Sequence, residues 1–487
     1  MPYEWSEIGQ IGPEMILVAV ASTTPLMWVF SKRDNRWAYL ALTLVGAVFA
    51  AGILVGQWPQ ESESILSGQL VVDQFSVFLR LVLLAVAAAA VVLGLGNLPK
   101  VRFGAYAAIL LFSTTGMMLL VGANDLVVMF VALELMSIPI YALVAITRWR
   151  QRSTEGAIKY FTMGALSTAV TAYGVGWLYG VTGESSFAAI GEVFAQREIG
   201  PPEFLAIGLI VAALSFKIAL VPFHAWTPDA YDGAPTAVTA FISVAPKIAA
   251  LGLLLRLLAV SFEPYAVDLE ILLGVLAAIT IVAGNLIAVA QTNVKRMLAY
   301  SSIAHSGYML AGLVATQSQV GGGLIYAGTH TLLYYAVAYA LMNTGAFAVV
   351  MLVERYRSAV DLEAYRGLGR SSPALALAMA VFILSLIGVP PTAGFFGKLL
   401  IIDVLVNGDA TWLAILLVLA AVVSAFYYLR VVVNMYMRPA DPDAQTVGTP
   451  ESVGAILATT AVGTVVIGIW SGWLLEFATS GAALAAV

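Results

Sequence analysis

The chain has 487 residues, 61% of them hydrophobic and only 10% charged, with a formal net charge of −5. An ordinary soluble domain is about 25% charged, so water is excluded as the main solvent of this protein, and no nucleic-acid partner is expected. There is no cysteine and no glycine-rich phosphate-binding run, which excludes thiolate-held iron–sulfur clusters, cysteine-based zinc sites and a nucleotide pocket of the common kinds. No cofactor is expected in this chain, and any electrons or phosphates are handled by another one.

Taken from the N-terminus, apolar runs recur at about 12–31, 37–57, 72–95, 103–122, 125–147, 156–180, 203–222, 235–260, 268–290, 299–316, 321–353, 374–402, 410–437 and 451–478. Each approaches the roughly 20 residues needed to cross a hydrocarbon core about 30 Å thick at 1.5 Å per residue. The expectation is an all-α polytopic membrane protein of about fourteen transmembrane helices, embedded in a lipid bilayer. The first run follows Glu4 and Glu7 with no Lys or Arg before it, so it lacks the basic leader of a cleavable signal and reads as a retained span. Between spans 6 and 7, Phe187, Ile190 and Phe194 stand at helical spacing and predict a short interfacial helix.

Loops after odd-numbered spans hold fifteen Lys and Arg, whereas loops after even-numbered spans hold only Arg197. Basic residues accumulate on the cytoplasmic side, so both termini are expected to face the exterior. Seven basic residues remain within or at the edges of spans: Arg80, Lys159, Lys217, Lys247, Arg256, Lys398 and Arg430. Snorkelling or pairing near helix ends accounts for the three arginines and serves equally well for Lys159. Lys217, Lys247 and Lys398 lie inside apolar runs, where a lysine costs about 2.5–3.5 kcal/mol on insertion scales and marks an ion or proton path. The one carboxylate that reads as comparably deep is Glu134 on span 5, with Lys217 or Lys159 as its expected partner, because a nearby ammonium keeps a buried carboxylate charged.

Prolines track these charges: Pro139 follows Glu134, Pro222 follows Lys217, Pro246 precedes Lys247, and Pro390 and Pro391 precede Lys398. A buried proline loosens the helix ladder and frees a carbonyl. Spans 7 and 12 carry the most informative interruptions, LSFKIALVPFHAW from Leu214 and LSLIGVPPTAGFFGK from Leu384. The two lie five spans apart, an odd number, so they run in opposite directions, and paired broken helices in inverted halves point to an ion site. The expected organisation is a three-helix segment at 1–102, a five-helix repeat of spans 4–8 at 103–260, its inverted copy of spans 9–13 at 268–437, and a C-terminal helix at 451–487. His224, His305 and His330 lie in or beside spans, and imidazole exchanges a proton near neutral pH. No two of them share a ligand spacing, so no metal is expected.

Several segments resemble the antiporter-like membrane subunits of respiratory complex I. They are KYFTMGALS from Lys159, LYGVTG from Leu178, FKIALVPFHAWTPD from Phe216, YDGAPT from Tyr231, SVAPK from Ser243, QTNVKRMLAYSSIAH from Gln291 and PPTAGFFGK from Pro390. The segments on spans 6 and 8 favour a shorter branch of that family, since no room remains after span 14 for the lateral helix of its longest branch. The resemblance implies that Glu134 and Lys217 form the family's glutamate–lysine pair, that Lys247 is its central lysine and Lys398 its outer one, and that His305 links the halves. Lys159 has a counterpart too, with His224 and His330 as auxiliaries. It also implies a bacterial inner membrane, partner subunits of the complex I membrane arm including other antiporter-like ones, and FMN, iron–sulfur clusters and quinone in partner chains. A subunit of a multi-subunit cation/proton antiporter and a passive scaffold remain as other readings, the scaffold opposed by four deep charges beside prolines.

Overall fold

The computed structural model describes residues 5–31, 35–59, 62–98, 102–314, 318–320, 323–325, 328–440 and 445–482. The N-terminal segment holds α1 (Trp5–Gln10), α2 (Gly12–Ser31), α3 (Arg36–Gly56), the hairpin β1 (Glu63–Ile65) and β2 (Leu70–Val72), and α4 (Gln74–Asn97). There follow α5 (Phe103–Val121), α6 (Leu126–Val144), α7 (Gln151–Thr182), α8 (Phe187–Ala195), α9 (Pro201–Ile218), α10 (Thr227–Gly233), α11 (Thr236–Ile242) and α12 (Ala245–Arg256). The second half runs through α13 (Ala266–Val289), α14 (Val294–Val314), the hairpin β3 (Ser318–Val320) and β4 (Gly323–Ile325), α15 (Gly328–Arg357) and α16 (Leu368–Ser371). It ends with α17 (Pro373–Ile387), α18 (Ala393–Asn407), α19 (Thr411–Met437), α20 (Glu451–Ile469) and α21 (Ser471–Ser480).

Among the described residues, ten helical stretches are long and apolar enough to cross a membrane. The other expected spans fall on α2, on α7 and α14, which are rich in Ser, Thr and Tyr, and on the fifteen-residue helices α17 and α18, which the break at 388–392 keeps short. Large apolar side chains point outward, as at Val48 of α3, Ile271 of α13 and Val422 of α19, while serines, threonines, tyrosines and lysines turn in. That arrangement suits a hydrocarbon solvent, in which backbone and polar groups must be satisfied internally.

Close packing relies on small residues. A Cβ on Gly116 would lie 2.4 Å from Met136 N, and one on Gly284 would lie 2.7 Å from Ala304 N, so α5 meets α6, and α13 meets α14, nearly backbone to backbone. Helix starts are fixed by side chains: Asp73 Oδ1 accepts from Ser76 N at 2.8 Å to open α4, and Asp125 Oδ1 accepts from Val127 N at 2.8 Å to open α6.

Four expectations change. Span 8 is broken, with α11 ending at Ile242, α12 beginning at Ala245 and a π turn at Leu257–Ser261, because Pro246 sits in the first turn of α12, where its missing N–H has no intrahelical role. Span 14 is broken at Trp470, between α20 and α21. The expected start of span 11 is occupied by the β3–β4 hairpin, and its helix begins at Gly328. Helix α8 forms where expected, but Phe187, Ile190 and Phe194 are fully buried against the π turn rather than laid into a lipid interface.

Candidate functional site

On α6, Glu134, Ser137 and Tyr141 share one face, being three and four residues apart. Lys217, near the end of α9, donates from Nζ to Ser137 Oγ at 2.7 Å and lies 3.5 Å from Tyr141 OH. Glu134 is half-buried and accepts from Thr168 Oγ1 of α7 at 2.8 Å. No direct ion pair joins Glu134 to Lys217; the charges act on each other across the serine one turn along α6. Lys159 does not reach Glu134. Its half-exposed ammonium is held by Glu155 at 2.7 Å and Asp229 at 2.8 Å, and Asp229 also takes Arg296 at 2.8 Å. Lys159 precedes Thr168 by nine residues on α7, about 13 Å along the axis at 1.5 Å per residue, so it sits far below the level of Glu134.

Helix α9 stops at Ile218 because Ala219 adopts φ 65°, and a cis Val221–Pro222 bond follows. The last four carbonyls of a helix lack intrahelical donors. Here Phe216 O accepts from Trp226 Nε1 at 3.1 Å, and Ile218 O accepts from Ser306 Oγ at 2.8 Å. Trp226 is itself stacked on Tyr160 with ring centroids 4.0 Å apart. The span 7 motif thus folds its tryptophan back to close its own break.

Lys247, in the first turn of α12, is fully buried. Its ammonium donates to Ser302 O at 2.8 Å, Ser302 Oγ at 2.6 Å and Ser306 Oγ at 3.0 Å, which uses all its donors on α14 without any carboxylate. Ser302 Oγ also receives Tyr339 OH at 2.8 Å. One turn further, His305 is 1% exposed, with Nδ1 2.7 Å from Tyr335 OH and Nε2 3.4 Å from Tyr428 OH. Its ring lies between those of Tyr339 and Tyr308, each with centroids 5.3 Å away.

Lys398 of α18 lies with Nζ 4.9 Å from the centre of the Tyr308 ring. It donates to Leu386 O at 2.9 Å and Ile387 O at 2.8 Å, the carbonyls left open where α17 ends at Gly388, φ 92°. These form the negative end of the α17 dipole and attract a cation. No hydrogen bond joins His305 directly to Lys247 or Lys398; tyrosines stand between them. Helix α14 therefore gathers the central part of the line, from Ser302 to Tyr308, and the line runs from Glu134 through Lys217, Lys247 and His305 to Lys398.

His224 and His330 are not hydrogen-bonded into it. His224 is half-buried in the turn after the α9 break, its Nδ1 without a partner among the described residues, and His330 is half-buried on α15 within electrostatic reach of Asp403. The hydroxyls of Ser137, Ser302, Ser306, Tyr308, Tyr335 and Tyr339 were missed in the sequence, although Tyr335, Tyr339 and Asn343 recur every four residues on an apolar helix. A cavity of about 410 Å³ opens at the basic end, lined by Arg150, Arg152, Asp232, Lys295 and Glu354. Glu354 accepts from Thr236 at the start of α11.

Two carboxylates at helix starts are more fully enclosed by the protein than Glu134. Asp73 is fully buried and takes both amines of Arg256 at 2.9 and 3.0 Å, and Glu14, 3% exposed, lies 3.3 Å from Arg80. Neither arginine snorkels; both are paired inside the protein.

A helical membrane protein whose spans 7 and 12 break beside buried lysines has the design of an ion-translocating subunit. Residues 123–424 match the family described as NADH:quinone oxidoreductase/Mrp antiporter, TM. The NADH-quinone oxidoreductase subunit N of Trichlorobacter lovleyi is 40% identical over 485 residues, covering 98% of this chain and 97% of the relative. A chain of respiratory complex I from Thermus thermophilus with bound aureothin superposes with a TM-score of 0.81 at 34% identity, over 97% of this chain and 99% of that one. A chain of the Mrp complex from a Dietzia species shares the fold, with a TM-score of 0.82 at 20% identity over 98% of this chain and 97% of that one. The chain belongs to the NADH:quinone oxidoreductase/Mrp antiporter membrane family, in its NADH-quinone oxidoreductase subunit N branch.

Proposed function

We propose that this chain is a proton-translocating membrane subunit of an NADH:quinone oxidoreductase, in which partner subunits holding FMN, iron–sulfur clusters and quinone transfer the electrons. The observation that carries this is the placing of Lys217, Lys247, His305 and Lys398 on hydroxyls and carbonyls in a buried line, with Ser306 shared between Lys247 and the α9 break. Burial and an opposite charge act in opposite senses on an ammonium's hold on its proton, and interacting groups titrate together. Quinone reduction elsewhere shifts the interaction of Glu134 with Lys217 and changes how firmly Lys247 holds its proton, which then passes by His305 to Lys398. The cavity at Glu354, whose carboxylate takes the hydroxyl of Thr236 at the start of α11, supports water access to that end of the broken span 8.

The finer architecture belongs to the same proposal: fourteen spans, inverted repeats at 103–260 and 268–437, an N-terminal segment at 1–102, a C-terminal one at 451–487, and both termini outside a bacterial inner membrane. Two parallels support the repeats. Each break has a left-handed residue, Ala219 or Gly388, with a proline three residues on, and in each half the first two helices, α5 with α6 and α13 with α14, meet at a glycine set against the facing backbone. Partners would be the other membrane-arm subunits, antiporter-like ones included.

The test is Lys247→Ala in the assembled complex, read as proton uptake per NADH oxidised in inverted vesicles. Abolished uptake with an intact complex is expected; normal uptake with an intact complex would overturn the central role.

A further inference from the structure

Helix α11 is short and fully buried, yet hydroxyls recur along it at Thr236 and Thr239 and at Ser243, the residue that closes it. Spacings of three and seven residues put them on one side of the helix. Both ends of this row are tied to α15. At the basic end Thr236 Oγ1 donates to Glu354, and at the other Ser243 Oγ accepts from Asn343 Nδ2 at 2.7 Å. The first tie opens on the cavity of about 410 Å³, where Arg150 lies 3.6 Å and Lys295 3.8 Å from the Glu354 carboxylate. The second leads to Lys247. Tyr339 OH lies 3.3 Å from Ser243 O and 2.8 Å from Ser302 Oγ, the hydroxyl on which the ammonium rests at 2.6 Å.

The ties are two turns of α11 apart, about 10 Å at 1.5 Å per residue, and among the described residues no side-chain hydrogen bond joins one to the other. Phe347 and Val350 fill the level between them. They stand four and seven residues from Asn343 on α15, in line with it and with Glu354. Both are fully buried, and the Phe347 ring meets that of Tyr231 edge-on with centroids 6.2 Å apart. Thr239 donates to the backbone carbonyl of the same tyrosine at 3.0 Å. At the inner end of this dry stretch Asn343 is fully buried, and its Oδ1 has no partner among the described residues. A buried acceptor left unmet destabilises the fold, and a water that donates to it relieves this. A polar mouth, a stretch with hydroxyls along one wall and an unmet acceptor at its inner end make a water path that is shut at Phe347.

We propose that the proton reloading Lys247 enters here: Glu354 takes it from the cavity, and a file of water between α11 and α15 carries it past Phe347, the gate, to Ser243 and Asn343. The proposal rests on the proton-translocating role and adds the entry to it. Only a proton moves. The carboxylate gains one from water and passes one on, each water in the file takes one and gives one, and the neutral amine of Lys247, reached through Tyr339 and Ser302, ends as an ammonium. A carboxylate is needed at the mouth because Arg150 and Lys295 would otherwise repel a proton there.

The test measures proton uptake per NADH oxidised by the intact complex in inverted vesicles, whose outer face is the cytoplasmic one, with assembly checked on native gels. Glu354→Gln is expected to lose uptake as far as Lys247→Ala does, and Glu354→Asp, which keeps the carboxylate, to recover part of it. The gate is read by labelling. The chain has no cysteine, so Ala240→Cys, between the two ties, gives it a single thiol. A small, permanently charged thiosulfonate reagent added outside, with adducts mapped by mass spectrometry, is expected to label that thiol several times faster when Phe347→Ala is also present. Normal uptake by Glu354→Gln beside lost uptake by Lys247→Ala overturns the entry and leaves the translocating role standing. Normal uptake by both overturns that role and the entry with it. Equal loss in Glu354→Asp and Glu354→Gln, or labelling that Phe347→Ala does not quicken, marks a structural role and overturns the proposal. Should the Glu354 variants fail to assemble, the labelling decides.

Discussion

Ser306 Oγ receives the ammonium of Lys247 at 3.0 Å, and the same hydroxyl lies within donating distance of Ile218 O, the open end of α9, at 2.8 Å and of Ser302 O at 3.0 Å. The central lysine and the break in span 7 are thus joined by one side chain. A change at the break is felt at Lys247 without any charge moving between them.

Ser306→Ala should therefore uncouple the break from the lysine while leaving Lys247 its two contacts with Ser302. A hydrogen bond to a charged group is worth about 1.5–3 kcal/mol, so proton uptake per NADH should fall about tenfold or more in an assembled complex. Ser306→Thr, which keeps the hydroxyl, should restore much of it. Inverted-vesicle uptake measured on both variants checks this.

Glu134→Gln should act more mildly than Ser137→Ala. The Lys217 ammonium rests on Ser137 at 2.7 Å and not on the Glu134 carboxylate, so removing the charge leaves that bond in place, whereas removing the hydroxyl leaves the buried cation only the longer 3.5 Å contact with Tyr141 OH. Uptake by Ser137→Ala below that of Glu134→Gln is the expected order, measured side by side.

Gly388→Ala should damage the seat of Lys398. The residue has φ 92°, a left-handed geometry that a Cβ disfavours by about 1–2 kcal/mol, and the new methyl would lie 3.1 Å from Lys398 Cδ. Pumping should drop with only a modest loss of complex, checked by uptake together with a native gel of the assembled complex.

Asp73→Leu should be a stability variant. It leaves Arg256 buried without its carboxylate, a change that costs about 3–5 kcal/mol, whereas Asp73→Leu with Arg256→Met should recover most of the loss. Thermal inactivation of the complex reads the difference. Surviving Asp73→Leu complex should pump normally per electron, because the Asp73–Arg256 pair shares no hydrogen bond with the lysine line.

Much of this protein is legible along the chain. The apolar runs, the basic loops, the deep lysines and the two breaks are visible because the cost of a charge or a proline in hydrocarbon belongs to the residue itself and its immediate neighbours. Partner choice is of another kind. Lys247 finds its partners on α14, 55 and 59 residues away, at hydroxyls no more conspicuous in the sequence than any other serine. Lys159 is a plausible partner for Glu134 by type, but its height on α7 gives it to Asp229. Asp73 caps α4, and only the packing of α12 against α4 makes it the seat of a buried arginine as well. Sequence alone determined that this is a membrane protein with charges it must keep. Tertiary structure decided what each charge touches, because hydrogen bonds reach only about 3 Å and the helices that bring two groups that close are far apart in the chain.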